Sequence, residues 1–309
     1  EQKGDRMDNR EWETFITVVE EGNMTKAAEK LFISQPALSY RIRQMEAALG
    51  NALLLRTAEG IILTPQGEIY HDYCKRMVQE QEKLSEALNA ISGKIQGTLK
   101  IASSINFADY ELPKLLSRFR ELYPDINIQV KTAFSQQVVK MFNTGECVIA
   151  FARGGHMSTG KTIRLLDEPY CLVYKDLVPH KELLKVPFIR YDTDGTVSGV
   201  IETWCTEHLE KEPAVAMDVN SMVTCRHFVR EGLGWSILTY MGLGSCKDKD
   251  IFVSPIRDKA GNLVTRETNL IYNEKAINLV VVKTFVDYVL DYYAEHNIVD
   301  PSIFEEYSE

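Results

Sequence analysis

One short stretch of the chain concentrates side chains that can contact nucleic acid. The window between Asn23 and Ala58 contains two acidic and five basic residues, so it carries +3 in a chain whose net charge is −9. The basic residues are Lys26, Lys30, Arg41, Arg43 and Arg56. Arginine forks and amide or hydroxyl side chains reach base edges and phosphates in the major groove. The window therefore indicates a local DNA contact, although the acidic chain as a whole argues against a protein that coats nucleic acid.

Residues typical of catalysis or metal binding are scattered along the sequence. The six histidines show no metal-ligand spacing, no two of the six cysteines form a CxxC pair, and GxSxG, Walker and GxGxxG motifs are absent. We therefore expect no enzyme activity, no cofactor and no metal site. Cys205 and Cys225 are candidate redox-sensing thiols, and buried structural thiols are the alternative interpretation.

Helix caps and apolar spacing predict three helices in the first fifty residues. Thr25 is predicted to cap a short second helix, and Ser34 a third helix with Pro36 in its first turn. The predicted inner stripe of the third helix is Leu38, Ile42, Met45 and Leu49. The side chains predicted to lie off this stripe are Gln35, Ser39, Tyr40, Arg41, Arg43 and Gln44. This pattern is typical of a helix-turn-helix, and a plain three-helix bundle with a solvated polar face is the alternative.

Two short strands, 52–55 and 61–63, around a tip at 57–60 add a wing to the helix-turn-helix. From Glu11 to Glu68 the sequence then shows, in register, TKAAEKL, SQPALS, a helix end at LG, LLLR and LTPQG. In these motifs the chain resembles the N-terminal signature of LysR-type transcriptional regulators. The resemblance implies an operator-binding head, whose DNA-binding residues would be Thr25, Ser34, Gln35, Pro36, Ser39, Tyr40, Arg41, Arg43 and Arg56.

The sequence departs from the family pattern at two positions of the head. Tyr40 stands where the family commonly has arginine, with Arg41 next to it. Glu59 occupies the wing tip, where a basic residue is usual, and a carboxylate there would repel phosphate. We therefore expect the wing to contribute less to affinity, or Arg56 to replace the tip contact.

A long helix is predicted from Pro65 to about residue 91, because an apolar stripe recurs every seven residues. The stripe consists of Tyr70, Met77, Leu84 and Ile91. Such a stripe packs either on its own chain or on a partner helix. The resemblance favours an antiparallel linker-helix dimer that pairs two DNA-binding heads.

From Thr98 onward, strand-like and helix-like runs alternate, which predicts βαβ units and a mostly parallel sheet. Two such halves, a double crossover and a closing helix at 278–296 resemble the family's periplasmic-binding-protein-like effector domain. The predicted fold is thus multi-domain: an all-α winged helix-turn-helix head plus linker helix, then an α/β effector domain of two subdomains. The predicted boundaries are 7–64 for the head, 65–95 for the linker helix, 97–162 with 268–305 for subdomain I, and 163–267 for subdomain II.

Polar residues follow several of the predicted strands. In doubly wound sheets, ligands bind beyond the carboxyl ends of the strands, and the resemblance places an effector pocket there. The candidate effector-binding residues are Ser104, Ile105, Asn106, Ser135, Arg153, Thr196 and Ser221. Neutral donors with one arginine favour a small anion, such as a carboxylate or a sulfate-like oxyanion. The alternative is that these residues only cap helices.

These patterns together predict a cytoplasmic transcriptional regulator of the LysR type. It would bind a partly palindromic operator as a homodimer or homotetramer, respond to a small-molecule effector, and have RNA polymerase as a candidate partner. The sequence shows no secretion signal and no apolar run long enough to cross a membrane. The alternatives are a cytosolic solute-binding or transport protein, a thiol redox-sensing regulator with the same fold, and an enzyme with a DNA-binding head.

Overall fold

The computed structural model describes residues 9–57, 60–91, 95–175, 180–209, 211–244, 251–296 and 299. The expectations for Glu59 and for the ends of the head and of subdomain I fall partly or wholly outside these residues. The chain divides into two units, 1–93 and 94–309. None of the described helices is both long enough and apolar enough to cross a bilayer.

The first unit is a helix-turn-helix with a two-stranded wing and a long helix. Its elements are α1 (Asn9–Glu21), α2 (Met24–Lys30), α3 (Gln35–Leu49), β1 (Leu54–Thr57), β2 (Gly60–Leu63) and α4 (Pro65–Ile91). The strands pair antiparallel. β1 begins two residues later than predicted, because the amides of Leu53 and Leu54 donate to the Glu46 carboxylate. The core contains Phe15, Val18, Ala27, Leu38 and Ile42. The predicted winged helix-turn-helix is therefore confirmed.

The caps of the short helices decide where each one begins. Ser34 caps α3, and Gly50 ends it in the left-handed conformation (φ +65°), as predicted. The prediction that Thr25 caps α2 is wrong. Asn23 is the cap, since its extended backbone lets Oδ1 accept from the amides of Thr25 (2.9 Å) and Lys26 (3.2 Å). Thr25 instead lies inside the first turn of α2, where its side chain is exposed.

The buried face of α3 differs from the predicted stripe at two positions. Leu49 is exposed at the last turn of the helix. Ser39, predicted to face outward, is buried beside Leu38 and Ile42, and its hydroxyl accepts a hydrogen bond from Gln35 Nε2 at 2.9 Å. A globular helix buries a broader face than a strict seven-residue stripe, and a small hydroxyl side chain fits within it.

Phe32, in the turn before α3, is the one non-glycine residue with positive φ (+54°) in the part of the chain that the structure describes. Its side chain is 95% exposed. The left-handed conformation costs roughly 1–2 kcal/mol for a residue with a Cβ, and asparagine tolerates it better. We expect Phe32→Asn to raise the free energy of unfolding by about 0.5–1 kcal/mol in urea titrations of the full chain.

The matched control for Phe32 is Tyr40→Asn, which removes another exposed aromatic ring (60% exposed) from a residue with helical backbone. Asparagine is a poor helix former, so this change should leave stability unchanged or lower it. A gain of the same size in both variants would mean that loss of an exposed ring, rather than relief of backbone strain, is the cause.

The long helix α4 packs on the head at its beginning, and Leu84 is an exposed residue of its later part; the side chain of the last stripe member, Ile91, lies outside the described residues. The Thr64 hydroxyl accepts from the Gly67 amide at 2.9 Å and so caps the helix. Tyr70 is buried against Phe15, with ring centroids 4.9 Å apart. The first member of the seven-residue stripe therefore packs on its own chain. Leu84, two repeats later, is 60% exposed in the single chain.

The second unit is an α/β structure. In chain order its elements are β3 (Gly97–Ser104), α5 (Ile105–Tyr110), α6 (Leu112–Leu122), β4 (Ile126–Ala133), α7 (Ser135–Asn143), β5 (Ile149–Arg153), β6 (Lys161–Tyr174), β7 (Phe188–Tyr191), α8 (Gly195–Leu209), β8 (Val215–Val219), α9 (Met222–Arg230), β9 (Ser236–Thr239), β10 (Phe252–Pro255), β11 (Thr265–Tyr272) and α10 (Val280–Glu295). Short 3₁₀ turns lie at His180–Lys185, Tyr240–Leu243 and Ala276–Asn278. The strand β10 and the short helix α5 were not predicted from the sequence, whereas α6 lies within the helix predicted over 111–123.

Two strands connect the two halves of this unit. The large sheet has the order β10-β6-β11-β5-β3-β4, with β9 also paired to β6, and β7 and β8 form a separate parallel pair. Although β3 pairs parallel with β4 and β5, the strands β11, β6, β9 and β10 pair antiparallel. The expectation of a mostly parallel sheet is therefore wrong, because the chain leaves the first half along β6 and returns beside it along β11.

Each half has its own core. Phe107, Phe119, Phe151 and Phe285 belong to the first, and Ile189, Val229 and Trp235 belong to the second. The beginning of β6, at Lys161, pairs with the end of β11, at Tyr272, in the first half. From Tyr170 onward, β6 pairs with β9 and β10 in the second half. Two cores joined by crossing strands are the predicted α/β architecture of two subdomains.

Candidate DNA-reading face and effector cleft

The exposed side of α3 carries charge that the protein does not neutralise internally. Arg41 and Arg43 are exposed, and no carboxylate among the described residues pairs with either of them. Arg43 Nε donates to the Ser39 carbonyl at 3.2 Å, which orients the guanidinium along the helix. By contrast, Lys30 of α2 is paired with Glu21 at 2.6 Å. Arg41 and Arg43, together with the exposed Lys26 of α2, are therefore cations of the helix-turn-helix that remain available to an external anion.

The predicted DNA-binding residues lie in four places. Thr25 is in α2; Ser34, Gln35 and Pro36 are at the beginning of α3; Tyr40, Arg41 and Arg43 are on its exposed side; and Arg56 is in β1. Ser39 is the member that the structure places in the protein interior, where it accepts the Gln35 hydrogen bond. Ser39 therefore helps to position Gln35 and Arg43, since its hydroxyl accepts from the first and its carbonyl from the second.

A cleft of about 90 Å³ opens between the two halves of the second unit, beyond the ends of β3, β5 and β7. Its lining comprises Ser104, Ile105, Asn106, Asp109, Phe134, Ser135, Arg153, Tyr191, Asp192, Thr193, Asp194, Asn220, Ser221, Met222, Val223 and Arg266. Six of the seven predicted effector residues are in this lining. Thr196 is outside it, and its hydroxyl donates to the Asp194 carboxylate.

Arg153 lies at the floor of the cleft, but its charge is used inside the protein. Its side chain is almost fully buried and is paired with Glu168, which is completely buried, and it donates to Thr239 Oγ1 at 2.9 Å. Burial, and then the neighbouring charge of Arg266, lower the pKa of Arg153 to about 9. Buried charges are stable only when paired. Arg153 is therefore not the free charge partner for an anion that the sequence suggested.

The sequence analysis missed the second arginine of the cleft. Arg266 Nη2 contacts Asp194 Oδ2 at 2.6 Å and the Arg153 carbonyl at 3.2 Å. Burial alone would raise the pKa of Asp194, but the Arg266 charge and hydrogen bonds from Thr196, Arg266 and the Val197 amide lower it overall. Asp194 was identifiable in the sequence as a cap directly before a helix, whereas Arg266 lies within a strand and gives no local signal.

The neutral donors of the cleft are of two kinds. Ser135 Oγ accepts from the Arg153 amide at 3.0 Å, and Ser221 Oγ caps α9 by accepting from the Thr224 amide at 3.1 Å. Ser221 therefore has the helix-capping role that was the alternative interpretation, whereas Ser135 binds the backbone at the end of β5 and caps no helix. The Ser104 hydroxyl is different, since it is 4% exposed and has no hydrogen-bond partner among the described residues. Buried hydroxyls normally have a hydrogen-bond partner, so Ser104 is the serine of this lining whose hydroxyl is not already used by a described residue.

The thiols do not have the environment of a redox sensor. Cys205 and Cys225 are buried and free. Burial raises the pKa of Cys205 to about 12 and that of Cys225 to about 11, so the reactive thiolate is scarce near neutral pH. In the described part of the chain, no group of three or more histidine, cysteine or acidic side chains could hold a metal ion.

Comparison with known proteins agrees with both parts of this description. Residues 9–68 match the family model "Bacterial regulatory helix-turn-helix protein, lysR family", and residues 92–294 match "LysR substrate binding domain". The chain is 33% identical over 283 residues to the "Uncharacterized HTH-type transcriptional regulator YraN" of Bacillus subtilis, covering 92% of this chain and 97% of that one. It is 41% identical over 234 residues to the "HTH-type transcriptional regulator CysL" of the same organism, covering 73% and 78%.

Solved structures show the same fold at low sequence identity. Full-length CbnR complexed with its target DNA has a TM-score of 0.60 at 21% identity, covering 92% of this chain and 99% of that one. A full-length AphB variant has a TM-score of 0.59 at 18% identity, covering 92% and 98%. The chain belongs to the LysR family of transcriptional regulators. It is a DNA-binding regulator with an effector-binding domain, and the family consists of regulators rather than enzymes.

Proposed function

We propose that the exposed side of α3 reads an operator in the major groove. The carrying observation is that Arg41 and Arg43 are exposed on the helix after the turn, with no carboxylate among the described residues to neutralise them. Gln35 and Tyr40 add side chains that can contact base edges and phosphates. Since operators are in the cytoplasm of a bacterium, the regulator acts there. Selection of bound duplexes from a random DNA pool, followed by gel-shift titration, tests the proposal; failure to enrich any sequence would contradict it.

The cleft between the two halves is proposed as the site of a small anionic effector. Its volume of about 90 Å³ suits a ligand of few atoms, and the buried Ser104 hydroxyl has no described partner. The strands β6 and β11 join the two halves. A ligand that contacted both halves would favour an arrangement in which they are closer together, because it gains contacts on both sides of the cleft. Isothermal calorimetry of the full chain against a panel of small carboxylates and inorganic oxyanions tests this. Heat of binding from neutral analogues alone would contradict the anionic class.

The active form is proposed to be a homodimer or homotetramer that presents two heads to a partly palindromic operator. Leu84→Asp tests the interface, because it would put an unpaired carboxylate into the apolar seam at a cost of several kcal/mol. We expect light scattering to show a smaller species at a concentration where the wild type is associated.

The control for Leu84→Asp is Gln79→Asp, which adds the same charge to an exposed position of α4 outside the seven-residue stripe. It should leave the molar mass unchanged. If Leu84→Asp also retains the wild-type mass, the stripe does not form the interface between copies of the chain.

A further inference from the structure

We propose that the Asp194 carboxylate is the anion paired with Arg266 when no effector is bound, and that an oxyanion group of the effector displaces this carboxylate from Arg266. This inference rests on the proposed effector function of the cleft and specifies its ligand class and its recognition step. The ligand would carry a carboxylate or a sulfate-like group, received by Arg266 and by the neutral donors beside it. The carboxylate of Asp194 would leave Arg266 in exchange.

Arg266 is the receiver because its own partner, Asp194, lines the cleft, whereas Glu168, the partner of the other cation, does not. Arg153 and Arg266 are the two basic residues among the described lining. The first is bound to Glu168 in the protein interior. The second reaches the cleft, is almost fully buried, and has its Nε without a partner among the described residues. A guanidinium has five N–H donors, so Arg266 retains capacity for an incoming oxyanion.

Asp194 is suited to exchange because its two oxygens have separate roles. Oδ1 accepts from the Thr196 hydroxyl and from the Val197 amide (3.2 Å) at the beginning of α8. Oδ2 contacts Arg266. A carboxylate that releases Arg266 keeps its position as the cap of α8, so its departure does not unravel the helix.

An anion gains a cation in this cleft only by taking one from a carboxylate that already holds it. Arg153 and Arg266, the two basic residues among the described lining, are both paired. Since Glu168 is completely buried, Arg266 is the cation whose partner a ligand can replace. The released Asp194 carboxylate keeps its hydrogen bonds at the beginning of α8 and faces the open cleft, where water can solvate it. Asp192 is exposed and pairs with neither arginine, so solvent screens its charge and the exchange depends little on it.

The exchange also links the ligand to the arrangement of the two halves. Asp194 belongs to the segment between β7 and α8 of the second half, whereas Arg266 lies on the crossing strand β11. Their ion pair therefore connects the second half to the strand that joins both halves. When a diffusible anion replaces Asp194 on Arg266, this connection is lost, so the position of α8 depends on effector binding.

The test compares Asp194→Asn with Asp192→Asn in the full chain. Asparagine keeps the shape of Asp194 and is an equally good helix cap, so α8 is preserved while the internal anion is removed. Asp192→Asn removes the same charge from the same cleft without touching the Arg266 pair. The probes are sodium sulfate and sodium acetate at constant ionic strength, and the readout is the concentration that gives half-maximal thermal stabilisation.

We expect Asp194→Asn to respond to at least one probe at a concentration at least tenfold lower than the wild type, and Asp192→Asn to stay within about twofold of it. The gain should disappear in Asp194→Asn/Arg266→Gln, which leaves no unpaired buried charge at this contact. An unchanged or weaker response of Asp194→Asn, an equal gain in Asp192→Asn, or a gain that survives loss of Arg266 would each overturn the inference. Operator binding by the same preparations reports on the proposed function separately.

Discussion

Replacing both Arg41 and Arg43 by alanine should abolish specific operator binding while leaving the head folded. Each arginine that contacts a base edge or a phosphate contributes roughly 1–3 kcal/mol, so the pair should contribute roughly 2–6 kcal/mol. Both side chains are exposed and lie off the buried face that Leu38, Ile42 and Met45 form. Gel-shift titration at fixed salt measures the loss, and circular dichroism with urea unfolding confirms that the fold is retained.

The control for this pair is Lys140→Ala/Lys161→Ala, which removes two exposed positive charges from the second unit. If binding depended only on net charge, both double variants would lose the same affinity. We expect the loss only in the α3 variant, together with a smaller dependence of affinity on salt, because fewer counterions are released on binding. Equal affinity of the wild type and the Arg41/Arg43 variant would refute the assignment of α3 as the reading helix.

The head was predictable because its determinants are close together in the sequence. A cap such as Ser34, a proline in the first helical turn and a glycine at the helix end act within four residues of the boundary they define. The error at Thr25 has the same local character, since Asn23, two residues earlier, accepts from the Thr25 and Lys26 amides and so begins the helix before Thr25. Ser39 was misplaced because burial depends on which neighbouring helix covers a face, and periodicity within one helix does not contain that information.

The effector cleft was predictable in its position but not in its electrostatics. Residues at strand ends, such as Ser104 and Ser135, converge whenever neighbouring strands point the same way, so sequence order was enough to place them. The pairing of Asp194 with Arg266 joins residues 72 positions apart, and nothing local to either one specifies the other. The double crossover was predicted, but the antiparallel pairing of its strands β6 and β11 was missed for the same reason, and Arg266 lies on this paired part of β11.

Arg153→Ala should destabilise the second unit rather than act as a simple loss of a ligand contact. It would leave Glu168 charged and completely buried without its counter-charge. Breaking a buried pair from one side costs roughly 3–5 kcal/mol, a large part of the roughly 5–15 kcal/mol that stabilises a typical domain. We expect a clearly lower urea midpoint for the full chain, with the slope of the transition unchanged.

Arg153→Met combined with Glu168→Gln separates the missing charge partner from other causes. This double variant removes both charges, fills much of the arginine volume, and keeps an oxygen that can accept from the Met241 amide, which donates to Glu168 in the wild type. Because removing both partners of a buried ion pair costs much less than removing one, it should recover more than half of the stability lost in Arg153→Ala. A double variant as unstable as the single one would show that Arg153 acts through packing. Recovery of stability would instead mean that the uncompensated charge of the buried Glu168, rather than the lost packing of the Arg153 side chain, is what destabilises Arg153→Ala.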